Sequence, residues 1–513
     1  MANLLKQHRP IYDDSMGKKH NKSNSSGYNN ESLELQQKIA VHKFGGSSLA
    51  NKNRLFNVVN IIQKYSEAED FIVVSANGNV TDWLVDFSQG DLDAIDKISN
   101  YYFDLAFDSL TKPTEFLTWF KKNLIELKIV SYSSEDVLAH GEIWSAKLLV
   151  ALLNEQNTPA LFIDARDLLR TSSVENFELF ETDYFDQGLE KVLYGNFKKR
   201  IIITGYIANN LTDKTITLGR NGSDYSASLL ANLSRARSVT LWTDVSGIYE
   251  ADPGLIKHAQ AIQYLTFDEA QALASVGTNV LHHKTIAPLL KFRIPLYVRS
   301  SLAPLNTGTC IGLDNIQPTK NRYSIKSIAL KQKLINVTIS LNLNITPERL
   351  QKSLIDAHLV AIQTDYNFQN NKLSLLIEHG LLNQAQKVFR SLKLHYQVET
   401  KHCSAIAIVG EQINQQQDFI KQLSKSTSIQ FQCQLIQNEC ENIILYVSRQ
   451  GCHIEFLEHV YQYCQSYMNN KCNLHSNSMS NKEVGNTDNR QKRLIKKKAN
   501  NITHFQLAIE ESN

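Results

Sequence analysis

At residues 219–227 the chain reads Gly-Arg-Asn-Gly-Ser-Asp-Tyr-Ser-Ala, and the expected fold is organised around this turn. The alternating run at 215–218 predicts a short strand before it, and residues 226–233 predict a helix after it. The two glycines allow a tight bend and a close approach of the backbone to a ligand. Either Ser223 or Asp224 is expected to cap the helix. Because a helix N-terminus presents unpaired N–H groups, the turn is a candidate anion site.

A second glycine turn near the start of the chain strengthens this interpretation. Residues 39–44 predict a strand that runs into Gly45-Gly46-Ser47-Ser48. Lys43 would face an anion there, and the guanidinium of Arg220 matches a carboxylate or a phosphate. Taken singly, Lys43 is equally compatible with a solvated lysine, and the turn at Arg220 with an ordinary capped turn. The spacing is not that of a P-loop, because Lys43 precedes the glycines.

The composition predicts a globular protein of two to four domains. The 513 residues are 42% hydrophobic and 20% charged, with a net charge of +3, and we expect neither a nucleic-acid partner nor a membrane span. The seven cysteines are odd in number and include no C-x-x-C pair. This pattern favours free thiols in a reducing compartment over disulfides or a zinc site. We therefore expect a cytoplasmic protein without a metal site built from its own residues.

Strands and helices alternate between residues 39 and 300, which predicts an α/β domain with a mostly parallel sheet. Ligands of such sheets bind beyond the C-terminal ends of the strands, where the polar turns are expected to lie. The strand near Pro295 is expected at an edge of the sheet, because proline cannot donate to a ladder. The further predicted strands are residues 71–75, 160–164, 200–205, 238–242 and 294–299.

A long helix is predicted for residues 134–154, and it contains the pair Gly141-Glu142. An acidic residue beside a glycine is unusual in an apolar helix that serves only as scaffold. The alternative is an exposed glutamate, which is the common case for this residue type. Helical segments are also predicted between residues 90 and 130.

The amino-acid composition changes after about residue 320, where glycine becomes scarce. Two segments, 325–400 and 403–470, share the order strand, helix, strand, strand, helix. This order predicts a ferredoxin-like pair, a kind of unit that binds small molecules or pairs across a dimer. In the first segment, separate strands are predicted at 325–330 and 335–339.

Three motifs in this order resemble the aspartate kinases, and the resemblance covers residues 39–470. They are Lys43-Phe44-Gly45-Gly46-Ser47-Ser48, the turn at 219–227, and Trp242-Thr243-Asp244-Val245-Ser246-Gly247-Ile248-Tyr249. The form of the second motif, and His42 before the first, are most similar to the kinase half of the methionine-type bifunctional aspartokinase–homoserine dehydrogenases. Since only Gly485 follows residue 470, no G-x-G-x-x-G is present, and we expect no dehydrogenase activity.

The resemblance implies an amino-acid-kinase fold, a three-layer αβα arrangement around a mostly parallel sheet, followed by two ferredoxin-like ACT domains. It implies transfer of the γ-phosphoryl group of ATP to the β-carboxylate of L-aspartate, with Mg²⁺, as the first step of lysine, threonine and methionine biosynthesis. The ACT pair implies a homodimer or a higher homo-oligomer. The predicted divisions are a disordered leader 1–38, a catalytic domain 39–315, ACT domains 320–400 and 401–470, and a polar, basic tail 471–513.

The resemblance also assigns roles, position by position. Lys43 contacts the phosphates and the transition state, and Asp224 orients Lys43. The phosphate-cradling residues are Gly45, Gly46 and Ser47. The aspartate-binding residues are Ser75, Thr81, Glu142, Arg220 and Ser223. The residues that line the nucleotide site are Thr243, Asp244 and Tyr249.

The chemistry of aspartate agrees with these roles. An ammonium and an α-carboxylate require one anion and one cation, which Glu142 and Arg220 can supply. The attacking β-carboxylate is ionised near neutral pH, so the reaction requires no general base. Catalysis then consists of positioning and charge neutralisation.

Two departures from the family pattern concern the nucleotide. Gly254 stands where the family commonly has arginine, and Asn279 stands where it often has lysine. Both changes remove positive charge near the expected position of ATP. A catalytically weak amino-acid sensor and a kinase for another small acid such as glutamate therefore stay open as alternatives. Which of lysine, threonine and methionine exerts feedback, if any does, is equally open.

Overall fold

The structure is a computed structural model that describes residues 39–480 apart from short gaps. The gaps are 175, 194–197, 276–280, 313–324, 343, 358, 360, 432, 437–442 and 449–452. The predicted leader, Asn279 and the tail from residue 481 onward therefore lie outside the described residues.

The described strands and helices have the following bounds. The strands are β1 Ala40–Phe44, β2 Phe71–Val74, β3 Ala160–Ile163, β4 Arg170–Thr171, β5 Arg200–Thr204, β6 Ile207–Asn210, β7 Thr215–Thr217, β8 Ser238–Thr243, β9 Tyr264–Thr266, β10 Leu296–Ser300, β11 Thr309–Gly312, β12 Ile325–Ser340, β13 Ala361–Asn367, β14 Lys372–Glu378, β15 His395–Gly410, β16 Cys433–Ile436 and β17 Ile443–Ser448. The α-helices are α1 Lys52–Tyr65, α2 Val80–Ser88, α3 Asp93–Ser109, α4 Thr114–Ile129, α5 Ser134–Glu155, α6 Thr182–Leu193, α7 Gly222–Ser234, α8 Phe267–Ser275, α9 His283–Phe292, α10 Pro347–Asp356, α11 Leu382–Ser391, α12 Gln417–Phe431 and α13 His453–Ser480.

The main sheet has the strand order β3-β5-β2-β1-β8-β10-β11-β9 within the described part of the chain. Neighbouring strands are parallel except for the pair β10 and β11. The predicted α/β fold with a mostly parallel sheet is therefore confirmed. β1 lies near the middle of the sheet, with β2 on one side and β8 on the other.

Helices cover both faces of this sheet, which makes three layers. All four residues of β2 are buried, and they alternate between two cores. Phe71 and Val73 belong to the core that includes α7 and α9, whereas Ile72 and Val74 belong to the core that includes α1 and α5. A strand buried on both faces reads as a continuous apolar run, because neither face meets water.

The turn at residues 219–222 does not follow a strand of the main sheet, which corrects one expectation. It follows β7, which lies in a small separate sheet of order β4-β6-β7. β6 and β7 form an antiparallel pair. The polar turns after β1, β2, β5 and β8 leave the C-terminal edge of the main sheet, because these strands are parallel. The second glycine turn instead follows a strand of the small sheet.

The strand β10 lies inside the main sheet, so the expected edge position is wrong. It pairs with β8 in parallel and with β11 in an antiparallel register. Pro295 stands just before the strand, where its carbonyl accepts the N–H of Val239 at 2.9 Å. The missing proline N–H therefore removes no bond from the ladder.

The C-terminal region forms one antiparallel sheet of order β13-β14-β12-β15-β17-β16 among the described residues. The predicted order strand, helix, strand, strand, helix is confirmed in both segments. The two strands predicted at 325–330 and 335–339 are one strand, β12, with register shifts against β15. β12 and β15 run through both segments, and residues 400 and 401 both lie within β15. The division into two ACT domains stays a prediction.

The chain divides into two compact units, Met1–Glu458 and His459–Asn513. The three sheets of the described residues lie in the first unit, and α13 begins there and continues into the second. None of the described helices combines the length and the apolar character that crossing a bilayer requires.

Candidate active site

The first glycine turn brings the chain after β1 against the chain after β2. Gly45 has an extended backbone, with φ −75° and ψ 163°, and a short 3-10 helix follows it. A Cβ added to Gly46 would lie 2.6 Å from the carbonyl oxygen of Ala76. The N–H of Gly78 donates to the carbonyl of Gly46 at 3.0 Å. Glycine at position 46 is therefore required by a close backbone approach rather than by an unusual φ.

The second glycine turn ends in an N-terminus that no side chain caps. Gly219 has φ +79° and Asn221 has φ +53°, and α7 begins at Gly222. The expectation that Ser223 or Asp224 caps this helix is wrong, because both lie inside its first turn and Asn221 holds the cap position. Leaving the first N–H groups without a side-chain cap keeps them available to an anion.

Close packing at the end of β5 carries α7 to the edge of the main sheet. A Cβ added to Gly205 would lie 2.6 Å from the Cβ of Ser223. The hydroxyl of Ser226 accepts the N–H of Tyr206 at 2.9 Å. These contacts explain how a helix that follows a strand of the small sheet reaches the strands of the large one.

The two glycine turns meet in an ion pair. The Nζ of Lys43 lies 2.5 Å from Oδ1 of Asp224, and the two side chains are 14% and 16% exposed. Lys43 lies near the C-terminal end of β1, whereas Asp224 lies in the first turn of α7. The pair therefore joins both candidate anion sites into one.

One cavity of about 780 Å³ lies at this junction. Most of the predicted site residues line it, and they come from β1, the two glycine turns, the residue after β2, and the helices α2, α5 and α7. They are Lys43, Gly45, Gly46, Ser75, Thr81, Glu142, Arg220, Ser223 and Asp224. The predicted residues that do not line it are Ser47, Thr243, Asp244 and Tyr249.

Glu142 is the buried acid of this cavity, with an exposed fraction of 3%. Burial raises the pKa of its carboxyl well above the ordinary value, although Lys43 and a hydrogen bond from the backbone of Ala76 act in the opposite direction. Among the described residues, its Oε2 has no hydrogen-bond partner. A buried carboxylate oxygen without a partner is costly, so a cationic group of a ligand would relieve it. The exposed-glutamate alternative is wrong.

Gly141 allows α5 to pack closely against Ala76 and Leu84, and this packing places Glu142 in the cavity wall. A Cβ at Gly141 would lie 2.9 Å from Cβ of Ala76 and 3.1 Å from Cδ1 of Leu84. The predicted helix is continuous through this glycine, from Ser134 to Glu155. The glycine therefore serves close packing and does not interrupt the helix.

The predicted nucleotide residues form a neighbouring group after β8. The hydroxyl of Thr243 donates to Oδ1 of Asp244 at 3.1 Å. Tyr249 forms a β-bridge with Ala261. Gly254 lies in the same loop, where its N–H donates to Oδ1 of Asp252 at 2.8 Å. These residues lie at the end of β8 and in the loop after it, and they do not line the cavity, so their role at the nucleotide stays a prediction.

Comparison of the sequence with known proteins identifies the family of this chain. A sequence model described as the Amino acid kinase family matches residues 38–300, which is slightly more than half of the chain. The chain belongs to the amino acid kinase family. It is 35% identical to the aspartokinase of Chlamydia pneumoniae over 305 residues, which are 57% of this chain and 67% of that protein. It is 36% identical over 288 residues to the bifunctional aspartokinase/homoserine dehydrogenase 2 of Escherichia coli K12, which are 53% of this chain.

The chain spans about a third of the length of the first bifunctional relatives, 35% in the Escherichia coli protein. The shared fold extends beyond the residues that the family model matches. The crystal structure of Escherichia coli aspartokinase III in complex with aspartate and ADP has a TM-score of 0.69 and 22% identity. That match covers 83% of this chain and 99% of the other, so the amino-acid-kinase fold and the C-terminal sheet occur together in both.

The sequence reasoning missed several residues of this kinase cavity. Tyr206 follows β5, and Asn221 lies inside the motif itself, where the tolerance of asparagine for a left-handed backbone was the available signal. The others come from the C-terminal region, which no local pattern connects to the glycine turns. They are Ala357, Gln384, Lys387 and Val388.

A serine pair behind the first glycine turn was also missed. The hydroxyls of Ser48 and Ser301 lie 2.8 Å apart. Ser301 also donates to the carbonyl of Thr243 at 3.0 Å through its hydroxyl. This connection joins the turn after β1 to the end of β8, and hence the cavity to the predicted nucleotide residues.

Proposed function

We propose that the protein is an aspartate kinase. It transfers the γ-phosphoryl group of ATP to the β-carboxylate of L-aspartate and gives 4-phospho-L-aspartate and ADP, the first step of lysine, threonine and methionine biosynthesis. One observation carries the proposal. A buried acid with an unpartnered oxygen, Glu142, shares a cavity with Lys43 and with Arg220, and in the described part of the chain no ion pair involves Arg220.

The acceptor is bound through its two non-reacting groups. The ammonium of aspartate donates to Oε2 of Glu142, and its α-carboxylate lies against the guanidinium fork of Arg220. The hydroxyls of Ser75, Thr81 and Ser223 complete the set. Fixing both groups leaves the β-carboxylate one direction in which to point, and such positioning can supply a large part of the catalysis.

The transfer itself requires charge neutralisation. An oxygen of the ionised β-carboxylate attacks the γ-phosphorus, the bond from that phosphorus to the bridging oxygen breaks, and ADP leaves with its electron pair. Lys43, aimed by Asp224, neutralises charge on the transferring group. The N–H groups of the two turns, including those of Gly45, Gly46 and Ser47, cradle the phosphates.

The nucleotide extends from this cavity along the loop that holds Thr243, Asp244 and Tyr249. No group of three or more His, Cys, Asp or Glu side chains among the described residues is arranged to hold a metal ion. The absence of such a group among the described residues is compatible with a magnesium ion that is bound mainly by the nucleotide phosphates, since Mg²⁺ in kinases takes only one or two protein carboxylates. The nucleotide phosphates would hold it, and we assign it no ligand among the residues of this chain.

The test is a kinase assay on the purified full chain. ADP release coupled through pyruvate kinase and lactate dehydrogenase to NADH oxidation, together with hydroxylamine trapping of the acyl phosphate, should report turnover that depends on aspartate and ATP. The Lys43→Ala variant should lose this turnover by about 10²–10³-fold, as expected when one donor to a transferring group is removed. Wild-type turnover no higher than that of the variant would overturn the proposal.

Two alternatives are separated by the same experiment. Gly254 removes an arginine expected near the nucleotide, which favours a catalytically weak amino-acid sensor. That sensor would bind aspartate in calorimetry without turnover. A kinase for another small acid would turn over glutamate at a rate equal to that with aspartate.

Assembly, regulation and location are part of the same proposal. β13 and β16 are the edge strands of the C-terminal sheet within the described residues, and an edge strand can pair with a second copy of the chain. We expect a homodimer or a higher homo-oligomer through this sheet, which sedimentation would detect. Cys310, Cys403, Cys433 and Cys464 form no disulfide, which suits a cytoplasmic protein. Lysine, threonine and methionine should each be tested as inhibitors.

A further inference from the structure

Helix α11 of the C-terminal region forms part of the wall of the catalytic cavity. Gln384, Lys387 and Val388 line the cavity, and their spacing of three and four residues places them on one face of the helix. Ala357, just after α10, lies beside them in the same lining. The cavity is therefore closed by two structural regions, the kinase sheet and the helices on the C-terminal sheet.

Among the described residues, two cations of the cavity form no ion pair. Lys43 is paired with Asp224, and Glu142 is the remaining acid. Within the described residues, neither Arg220 nor Lys387 takes part in an ion pair, and Lys387 is exposed. An amino-acid acceptor carries an ammonium for Glu142 and a carboxylate for these cations. The unpaired cations therefore match an acidic ligand better than a neutral one.

The position of Lys387 points to the acceptor rather than to the nucleotide. The cavity lining contains all the proposed acceptor residues, Ser75, Thr81, Glu142, Arg220 and Ser223. It also contains Lys43, Gly45 and Gly46, which the transferring phosphate would meet, but none of the residues that follow β8 in the proposed nucleotide loop. Because the proposed acceptor residues all line this cavity and the loop beyond the phosphates does not, we assign the cation on this wall to the acceptor.

We propose that Lys387 is an acceptor-binding residue that holds the α-carboxylate of aspartate together with Arg220. This inference rests on the proposed function and deepens it. Arg220 supplies a planar fork from the kinase turn, and Lys387 supplies a flexible ammonium from the opposite wall. The binding of the acceptor consequently depends on where α11 lies, so that any movement of the C-terminal sheet that withdraws α11 weakens acceptor binding directly.

The test compares Lys387→Ala with Lys387→Arg and with Arg390→Ala in the full chain. Arg390 is the matched control, because it is an exposed cation on the same helix that does not line the cavity. Lys387→Ala should raise KM for aspartate by about five- to tenfold, as expected for a partly solvated charged contact. The kcat and the KM for ATP should change less than twofold. Lys387→Arg should restore most of the affinity, and Arg390→Ala should behave as the wild type.

Isothermal titration of aspartate keeps this inference distinguishable from the proposed function. Turnover by the wild type, with an unchanged KM for aspartate in Lys387→Ala, would overturn the role of Lys387 and leave the kinase. An equal effect of Arg390→Ala, or a rise in the KM for ATP instead, would also overturn it. Absent turnover combined with aspartate binding that Lys387→Ala weakens would overturn the kinase and support Lys387.

Discussion

The ammonium of Lys43 lies 2.5 Å from the carboxylate of Asp224, and this contact joins the central strand β1 to the first turn of α7. Both side chains are mostly shielded from water, so the pair is less screened than a surface pair. The carboxylate limits where the ammonium can point. A lysine held in this way is pre-organised towards charge that develops beside it.

Removal of the charge of Asp224 should lower kcat and leave the shape of the site intact. We expect Asp224→Asn to reduce kcat by about 10–100-fold, which is less than the loss in Lys43→Ala, because the ammonium remains but is no longer aimed. Steady-state assays in saturating aspartate and ATP measure this change. Asp91→Asn is the control, since Asp91 makes an exposed pair with Lys97 at 3.7 Å. Wild-type kcat in Asp224→Asn would show that the pair does not orient Lys43.

Acceptor binding should depend on pH through Glu142. Burial raises the pKa of its carboxyl, and the ionised form is the one that binds an ammonium. KM for aspartate should therefore rise as the pH falls through this raised pKa. In Glu142→Gln the KM should be high at every pH and should lose this dependence. A wild-type KM in Glu142→Gln would contradict the assigned contact.

The same burial predicts an effect of Glu142 on stability. The native state holds the proton above the ordinary pKa of 4.5, where the unfolded chain releases it. The stability of the native protein should then decrease as the pH rises between the ordinary and the raised pKa. Glu142→Gln removes this loss, so its thermal midpoint should exceed that of the wild type above this range. Glu135→Gln, exposed on the same helix, should leave the midpoint unchanged.

The two glycines of the first turn should differ in how well they tolerate substitution by alanine. Gly46→Ala places a Cβ 2.6 Å from a backbone oxygen and should cost roughly 1–3 kcal/mol of unfolding free energy. Gly45→Ala meets only Nζ of Lys43 at 3.5 Å, so the fold should persist while KM for ATP rises. Gly380→Ala, which has open space around it, is the control and should be neutral or stabilising by up to about 1 kcal/mol. Equal denaturant midpoints for all three variants would contradict the close approach at Gly46.

Nucleotide binding should weaken when a hydrogen bond between the proposed nucleotide loop and the C-terminal sheet is removed. The hydroxyl of Ser327 donates to the carbonyl of Tyr249 at 3.0 Å, and the N–H of Ile328 donates to the backbone carbonyl of Glu250 at 2.7 Å. Ser327→Ala deletes the first of these bonds and should raise KM for ATP by about three- to tenfold, with KM for aspartate unchanged. Ser391→Ala removes an exposed hydroxyl that contacts only its own helix, and it should have no effect. A change confined to KM for aspartate would refute this connection.

The sequence alone determined the local features of this protein. Apolar runs predicted the buried strands, because a strand with helices on both faces meets no water. The two glycine turns and the order of the C-terminal elements were likewise predicted, since backbone freedom and hydrophobic period are properties of neighbouring residues. The motifs around Lys43, Arg220 and Thr243 indicated the family for the same reason.

Only the tertiary structure decided which of these features meet. The pair of Lys43 with Asp224, the burial of Glu142 and the interior place of β10 depend on strand neighbours that no short pattern encodes. Asn221 rather than Ser223 or Asp224 takes the cap position, and Gly222 after it packs against Tyr206, which lies in a different turn of the chain. Lys387 lies far along the chain from the glycine turns, and its place in the cavity follows from the packing of α11, a contact between distant residues that local chemistry does not specify.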